Sequence, residues 1–322
     1  MKLSVIIPTY NRSNSLDRTL ETLVSQTIGT DNYEILVVDN NSTDNTAEVI
    51  KTWEKNTNGL VHYLQETRPG AHYARNGAVK YAKGDILYFT DDDILANEDM
   101  LENIIKPFAI KGKNIATVTG QVLPYWEVEP PRWVLKHMNN AYLSLNTLPD
   151  DLIVDSKDVG IFSNHQAVLK KVFLEVGGYN PDIVNGEWLG DNETGMNIKI
   201  EQKGYQFAYI KSAIIYHMIP ARRMTQSYIN GRLANQGNSD AYTNYRVTTL
   251  SNNELKKINL SLYKKMWCTR FTAIVNILRK KDNWHIKWAK AFYYRNYIKY
   301  NRRLIKDASF RQMVLKNNWI DN

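Results

Sequence analysis

The sequence has little cysteine, no long apolar run and no leader-like start. Its 322 residues include one cysteine, Cys268, so neither an intrachain disulfide nor a zinc site built from cysteine pairs is expected. No apolar stretch exceeds four residues, whereas a membrane-spanning helix needs about 20 mostly apolar residues. The N-terminus has one basic residue before a short β-type run that ends at Pro8, unlike a signal peptide. We therefore expect a cytoplasmic protein with one large domain, alone or with a smaller appendage.

Charge is unevenly distributed along the chain. The net charge is +8, but residues 241–322 contain 18 Lys and Arg against 4 Asp and Glu, whereas residues 1–240 contain 23 against 29. An acidic part that binds a nucleotide needs a cation beside the phosphates, and the basic part favours an anionic surface. No nucleic-acid-binding motif accompanies the basic residues, so we expect no nucleic-acid partner.

Hydrophobic periodicity in the first 110 residues predicts four strands, the first three each followed by a helical pattern. The expected strands are residues 3–8, 34–39, 61–64 and 85–90. This alternation is typical of a mostly parallel α/β sheet. Further β-type runs at 115–122, 205–210 and 213–217, with a helix at 191–202, are expected to complete the sheet. From about residue 221 the pattern is largely helical.

Polar residues follow three of the predicted strands, where ligands of open parallel sheets bind. They are residues 8–12 after the first strand, Asp39 at the end of the second and Asp91-Asp92-Asp93 after the fourth. In an extended or turning segment alternate side chains share a side, so Asp91 and Asp93 can converge while Asp92 points elsewhere. Carboxylate oxygens combined with diphosphate oxygens suit Mg²⁺ or Mn²⁺. A solvated acidic turn that caps the next helix is the alternative for the triplet.

Two further residues have both a binding interpretation and an ordinary one. Asp39 can accept a hydrogen bond from the imide N–H of a base, or it can close a local turn with Asn40 and Asn41. Arg75 can meet a phosphate or a base, or it can form a surface ion pair. Each ordinary interpretation is favoured if the residue is considered alone.

Three motifs in fixed order carry a resemblance to a known family. They are SVIIPTYNR (4–12), EILVVDNNSTD (34–44) and DDD (91–93). Together with GGY (177–179), GDNE (190–193) and the strand that ends at His217, they resemble family 2 glycosyltransferases of the GT-A fold. The resemblance covers roughly residues 1–240. It implies a Rossmann-like, mostly parallel sheet flanked by helices as the catalytic domain over 1–240, and leaves 241–322 as a basic, aromatic helical extension.

The resemblance implies a role for each matching residue. The implied donor-binding residues are Pro8, Thr9, Tyr10, Arg12, Asp39, Arg75, Asp91 and Asp92. Asp93, assisted by Asp91, matches the carboxylate that binds the divalent ion, and His217 matches a position that reaches the metal in some members. Asp191 matches the catalytic base. The family often has two acidic residues here, whereas Gly190 precedes Asp191 in this chain, so Glu193 stays open as the base.

The implied reaction is a metal-dependent, inverting transfer of a sugar from a nucleoside diphosphate sugar, most often a UDP-sugar. The acceptor would be a hydroxyl of a glycan or of a lipid-linked molecule, and the cofactor Mn²⁺ or Mg²⁺. A sugar nucleotidyltransferase and a noncatalytic module that binds a nucleotide or glycan are the alternatives. No glycine-rich phosphate loop follows the first strand, which counts against the nucleotidyltransferase.

The C-terminal region combines apolar and basic residues. Five apolar side chains near helical spacing are expected to pack against the catalytic domain: Trp267, Phe271, Ile274, Ile277 and Leu278. The surplus Lys and Arg predicts peripheral contact with the inner face of a membrane, since many acceptors of such enzymes are lipid-linked.

Overall fold

The computed structural model describes residues 2–138, 140–181, 183–184 and 187–320. Its strands are β1 (Leu3–Thr9), β2 (Tyr33–Asp39), β3 (Val61–Gln65), β4 (Ile86–Thr90), β5 (Ile94–Ala96), β6 (Ile115–Trp126), β7 (Leu152–Val154), β8 (His165–Leu169), β9 (Ile183–Val184), β10 (Glu187–Trp188) and β11 (Gln206–Ile219). Its α-helices are α1 (Ser13–Val24), α2 (Thr46–Asn56), α3 (Ala71–Ala78), α4 (Met100–Ile105), α5 (Arg132–His137), α6 (Lys170–Glu175), α7 (Glu193–Gln202), α8 (Gln226–Thr248), α9 (Asn252–Leu278), α10 (Trp284–Lys306) and α11 (Ala308–Val314).

Over the described residues, nine strands form one sheet. Eight of them are hydrogen bonded in the order β3-β2-β1-β4-β8-β6-β11-β5. The ninth strand, β7, pairs with β11 and stands outside this order. The pairs β1–β2, β2–β3, β1–β4 and β6–β11 are parallel, whereas β8, β5 and β7 run antiparallel to their neighbours. The prediction of a mostly parallel α/β sheet flanked by helices is confirmed.

The central strands are apolar throughout because both faces of the sheet are covered. Every residue of β1, β2 and β4 is buried. Successive side chains belong to opposite cores: Val5 and Ile7 join one apolar cluster, and Ile6 joins the other. The carboxyl ends of β1, β2 and β4 therefore lie at one edge of a rigid sheet, where they can hold polar side chains in place.

The middle section has elements that were not predicted, among them β7, β8, α5 and α6, and other predicted bounds differ from the observed ones. The two runs predicted at 205–210 and 213–217 are one strand, β11, with an irregular register between Ile210 and Ile214. The helix predicted from residue 191 begins at Glu193. Residue 240, the predicted domain boundary, lies inside α8, so a division there would cut a continuous helix.

The C-terminal region is helical, as predicted. Helix α10 packs against both α8 and α9, and the apolar stripe expected to cover the catalytic domain is instead exposed on α9. Trp267 and Phe271 are 62% and 70% exposed, because α9 packs on α10 through a different face. Across the described ranges, no helix combines the length and the apolar composition that crossing a membrane requires.

Candidate functional site

The ends of β1 and β4 bring four polar side chains together. Thr9 ends β1 and donates its hydroxyl hydrogen to Asp92 over 2.7 Å. Arg12 donates to Asp92 at 3.0 Å and to Asp93 at 2.5 Å. Both carboxylates are buried, and they tolerate each other because one guanidinium donates to both.

Asp93 is also held by β11 and by the 3₁₀ segment that follows it. Its backbone carbonyl accepts a hydrogen bond from Met218 N at 2.8 Å, and His217 Nε2 lies 3.5 Å from Asp93 Oδ1. Arg223 donates to Asp93 Oδ2 at 2.8 Å and also to His217 Nε2. His217 Nδ1 lies 2.8 Å from the carbonyl of Leu143, to which it can only donate, so Nε2 accepts.

Burial and charge move the pKa values of the two carboxyl groups in opposite directions. Burial raises the pKa of Asp92, although Arg12 opposes the shift. Burial also disfavours the charged form of Asp93, but the guanidinium groups of Arg223 and Arg12 outweigh it and hold the pKa of Asp93 well below its usual range. Asp93 is therefore the carboxylate that stays charged at neutral pH, as a metal ligand must be.

The donor atoms around Asp93 fit a divalent cation. Asp93 Oδ1 is buried and accepts no hydrogen bond, and His217 Nε2 would be a second ligand atom once Arg223 released its lone pair. Within the part of the chain that the structure describes, no three His, Cys, Asp or Glu side chains converge on one point. An ion here would complete its shell with diphosphate oxygens and water, as Mg²⁺ typically does. Arg12 and Arg223 would then share the carboxylate with it.

Asp91 forms an ion pair with a different arginine. Its carboxylate accepts a hydrogen bond from Arg75, which is 2% exposed. The expected convergence of Asp91 and Asp93 is therefore not seen, and Asp92 and Asp93 share Arg12 instead. The reason is that β4 ends before the triplet and the chain bends there, so the alternation of an extended strand does not apply.

Arg75 and its neighbour His72 connect Asp91 to Glu193. His72 lies one turn before Arg75 on α3, with its Nε2 atom 3.3 Å from Arg75 Nη1 and 3.8 Å from Glu193 Oε2. Glu193 begins α7, and its side chain is 15% exposed. Part of the Glu193 side chain is therefore in contact with solvent.

Asp191 is more enclosed. Its Oδ1 accepts a hydrogen bond from Asn180 at 2.8 Å, and its Oδ2 accepts one from Thr243 of α8 at 2.7 Å. The residue is 3% exposed, and burial raises the pKa of its carboxyl group. Of the two candidate bases, Glu193 is the one with the more accessible carboxylate.

The C-terminal helices also hold the backbone just before α7. Ser239 of α8 donates to the carbonyl of Gly190 at 3.3 Å, and Tyr300 of α10 donates to the carbonyl of Leu189 at 2.6 Å. A buried carbonyl that loses its donor is costly, so these bonds fix the approach to α7.

Two clefts meet at Arg12. The first, of about 340 Å³, is within the size range of small-ligand sites. It is lined by Pro8, Thr9, Tyr10, Arg12, Asn40, Ala71, Arg75, Asp91, Asp92, Ser163 and Arg223, which include seven of the eight predicted donor-binding residues. The second, of about 400 Å³, is lined partly by Arg12, Asp93, Glu127, Met218 and Arg222. The Asp triplet therefore faces both clefts.

Asp39 is the predicted donor-binding residue outside the lining of the first cleft. Its Oδ1 accepts a hydrogen bond from Ser42 N at 2.9 Å, and its Oδ2 accepts one from the Tyr63 hydroxyl at 3.3 Å. The local turn considered as the ordinary interpretation is thus present. A carboxylate oxygen can accept a second hydrogen bond, so these two bonds do not exhaust the acceptor capacity of Asp39.

Asn40 holds the loop that leads into α3. Its side-chain amide donates to the carbonyls of Glu66 and Arg68, each at 2.7 Å, and its Oδ1 accepts from Gly70 N at 2.8 Å. These bonds place the start of α3, and hence Arg75, beside the first cleft.

We expect Asn40→Ala to lower the free energy of unfolding by about 1–3 kcal/mol, because it leaves three partly buried backbone groups without their side-chain partner. Urea denaturation measures this loss. The exposed Asn14 provides a control, and Asn14→Ala should leave stability nearly unchanged. Equal stabilities for the two variants would show that Asn40 does not hold the loop.

Sequence reasoning missed three residues of the site: His72, Arg223 and Asn40. Arg223 lies six residues after His217 and belongs to an Arg-Arg pair. Such a pair just after a strand is a usable signal for an anion site. His72 precedes Arg75 by one helical turn, which predicts proximity on one helix face. Asn40 gives no comparable signal, because its partners are backbone atoms of a distant loop.

Comparison with known proteins gives the family. Residues 4–177 match the family model for glycosyl transferase family 2, which is more than half of the chain. The chain therefore belongs to glycosyl transferase family 2, and the predicted enzyme class is confirmed at the level of the family.

The matches to individual proteins are partial. The chain is 36% identical over 107 residues to validoxylamine A glucosyltransferase of Streptomyces hygroscopicus subsp. jinggangensis, covering 33% of this chain and 25% of that protein. It is also 36% identical over 107 residues to the poly(ribitol-phosphate) beta-N-acetylglucosaminyltransferase TarP of Staphylococcus aureus, covering 32% of each. The matched part thus spans about a quarter to a third of these relatives.

A solved structure supports the fold. The mannosyltransferase PcManGT from Pyrobaculum calidifontis, in complex with GDP-Man and Mn²⁺, superposes with a TM-score of 0.55 at 23% sequence identity. The match covers 73% of this chain and 62% of that one. The predicted GT-A fold is confirmed.

Proposed function

We propose that this protein is a metal-dependent, inverting glycosyltransferase that moves a sugar from a nucleoside diphosphate sugar to an acceptor hydroxyl. The observation that carries the proposal is the corner formed by Asp93, His217, Arg12 and Arg223. It combines a charged carboxylate, an imidazole acceptor and two guanidiniums at the carboxyl edge of the sheet, beside a cleft of ligand size. Such a corner suits a diphosphate with its divalent ion.

The donor would occupy the first cleft. We assign the nucleoside and diphosphate contacts to the predicted set, namely Pro8, Thr9, Tyr10, Arg12, Asp39, Arg75, Asp91 and Asp92, and we add Arg223. Asp93 and His217 would hold Mn²⁺ or Mg²⁺, and Asp91 would assist from the diphosphate side. When bound, the ion supplies positive charge for the departing diphosphate. Arg12 and Arg223 add fixed positive charge at the same place.

Glu193 is our candidate for the general base. Single-step displacement at the anomeric carbon forms the new C–O bond as the bond to the diphosphate breaks, and the acceptor hydroxyl loses its proton. The partly exposed carboxylate of Glu193 would take that proton. Asp191, with both oxygens hydrogen bonded, would instead position the start of α7.

The substrates are proposed from the family and the relatives. We propose a UDP-sugar as donor, and GDP is the main alternative because the structural neighbour PcManGT was solved with GDP-Man. We propose a glycan or lipid-linked acceptor. TarP, named for a poly(ribitol-phosphate) acceptor, supports a polymeric one. We also propose a cytoplasmic location with peripheral contact at the inner face of a membrane, and a catalytic domain that ends near residue 225 rather than 240.

A thermal-shift panel tests the proposed donor and metal. UDP, GDP, CDP, ADP and NAD are compared, each with Mn²⁺, with Mg²⁺ and with neither, because a ligand that binds the folded state raises the melting temperature. We expect one nucleoside diphosphate to stabilise the protein only with a divalent ion. No shift with any nucleotide would contradict the proposal, and a shift that is independent of metal would contradict the metal dependence.

A further inference from the structure

Helix α9 has two apolar faces, and one of them is covered by protein. Leu255 and Leu262 are buried in a cluster that includes Ile298 and Leu304 of α10. The other face carries five large apolar side chains that are 48–78% exposed: Leu260, Trp267, Phe271, Ile274 and Leu278. We call these five residues the α9 stripe. Single exposed apolar residues are ordinary, but a contiguous set marks an interaction surface.

The α9 stripe is straight. Its members follow one another at intervals of seven, four, three and four residues, so they stay on one side of an α-helix. From Leu260 to Leu278 the helix makes five turns, a length of about 27 Å at 1.5 Å per residue. A straight line on a convex helix fits a flat partner, whereas a folded peptide or a small molecule needs a groove.

Basic residues surround the α9 stripe. Between residues 252 and 281 the chain has eight Lys and Arg and one acidic residue, Glu254. Seven of the eight are exposed: Lys256, Lys257, Lys264, Lys265, Arg279, Lys280 and Lys281. The eighth, Arg270, lies over the Trp267 ring at 5.6 Å. The partner of this face should therefore be flat, apolar below its surface and negatively charged at its surface.

We propose that the α9 stripe docks on a bilayer that contains anionic lipid. Trp267 and Phe271 would enter the boundary between headgroups and acyl chains, while the flanking lysines contact lipid phosphates. Self-association through the stripe is disfavoured, because two copies would bring two strongly basic helices together. The proposal assigns a surface to the membrane contact proposed above, and it does not depend on sugar transfer.

Co-sedimentation of the full-length protein with vesicles tests the proposal. We expect binding to vesicles of phosphatidylcholine mixed with phosphatidylserine to exceed binding to phosphatidylcholine alone by about tenfold or more, because several basic residues contribute. The combined variant Trp267→Ser, Phe271→Ser, Leu278→Ser should lose that binding. A matched control, Leu135→Ser, Leu174→Ser, Val247→Ser, removes three apolar side chains exposed elsewhere and should bind like the parent.

A charge variant and a sizing measurement complete the test. Lys264→Glu, Lys265→Glu should weaken binding to the anionic vesicles, and added salt should do the same to the parent. The proposal is overturned if the parent binds neither vesicle, or if the control variant loses binding as much as the stripe variant. It is also overturned if the parent is a dimer in light scattering and the stripe variant a monomer with unchanged lipid binding.

The melting temperature of each variant checks that it is folded. None of the substituted residues lines either cleft at Arg12, so the nucleotide shifts should match those of the parent. If a variant lost lipid binding but kept the thermal shifts with nucleotide, the substitutions would have affected only the α9 stripe. Absent nucleotide shifts with intact lipid binding would contradict the proposed transferase and leave the surface assignment standing.

Discussion

Glu193→Gln should reduce turnover by about 100-fold to 10,000-fold, the range that a positioned general base contributes. Glutamine keeps the size of the side chain and its contact with His72, but it cannot take a proton from the acceptor. Donor affinity should stay close to that of the parent, because the contact to the first cleft runs through Arg75. Initial rates at saturating donor, together with nucleotide binding, separate these two effects.

Asp191→Asn is the matched control for this prediction. An asparagine at 191 can still accept from Asn180 and donate to the Thr243 hydroxyl, so the start of α7 should keep its position. We expect turnover within about tenfold of the parent, since the variant removes no proton acceptor under this assignment. If Asp191→Asn lost activity and Glu193→Gln kept it, the roles of the two carboxylates would be reversed.

A pH profile adds a readout that a purely structural defect would not change. If Glu193 is the general base, Glu193→Gln should change the shape of the rate profile as well as its height. A profile of unchanged shape at a lower rate would show that Glu193 acts through another group.

Asp93→Asn should abolish the stabilisation that a divalent ion adds to nucleotide binding. Substituting even outer-shell partners of a metal costs about 10–100-fold in affinity, so loss of the charged ligand itself should cost about 100-fold or more. The amide can still accept from Arg12 and Arg223, which favours a folded variant. Calorimetric titration of the nucleoside diphosphate, with and without Mn²⁺, measures the difference.

Asp92→Asn is the neighbouring control. Asp92 shares Arg12 with Asp93 but forms no ion pair with His217 or Arg223. The Asp92→Asn variant should therefore bind the nucleotide more weakly but still bind it more tightly when Mn²⁺ is added. If Mn²⁺ changed nucleotide affinity equally in the parent and in Asp93→Asn, the ion would bind elsewhere or take no part in nucleotide binding.

The N-terminal strands and their polar ends could be predicted from the sequence. Strands covered on both faces are continuously apolar, and Asp39 and the Asp triplet are conspicuous directly after such runs. The internal arrangement of the triplet could not be predicted, because it depends on where β4 ends. The proposed choice of Glu193 over Asp191 rests on the hydrogen bonds that Asn180 and Thr243 donate to Asp191. The sequence does not reveal these bonds, because Thr243 lies 52 residues after Asp191.

The exposed face of α9 was the largest difference from expectation. Apolar residues at helical spacing indicate that a face is buried, but they do not identify its partner. Because α9 packs on α10 through Leu255 and Leu262, Trp267 and Phe271 remain 62% and 70% exposed. Periodicity alone could not separate the two faces.

The bonds from Thr243, Ser239 and Tyr300 to residues 189–191 bear on how proteins of this kind can be recombined. All three donors lie in α8 and α10, and all three acceptors lie just ahead of the proposed base. A chimera that joins this sheet to the C-terminal helices of another protein would replace the three hydrogen-bond donors but keep the three hydrogen-bond acceptors. Helices α8 and α10 are therefore structurally tied to the segment just ahead of the proposed base, and their sequences would have to be inherited together with that of α7.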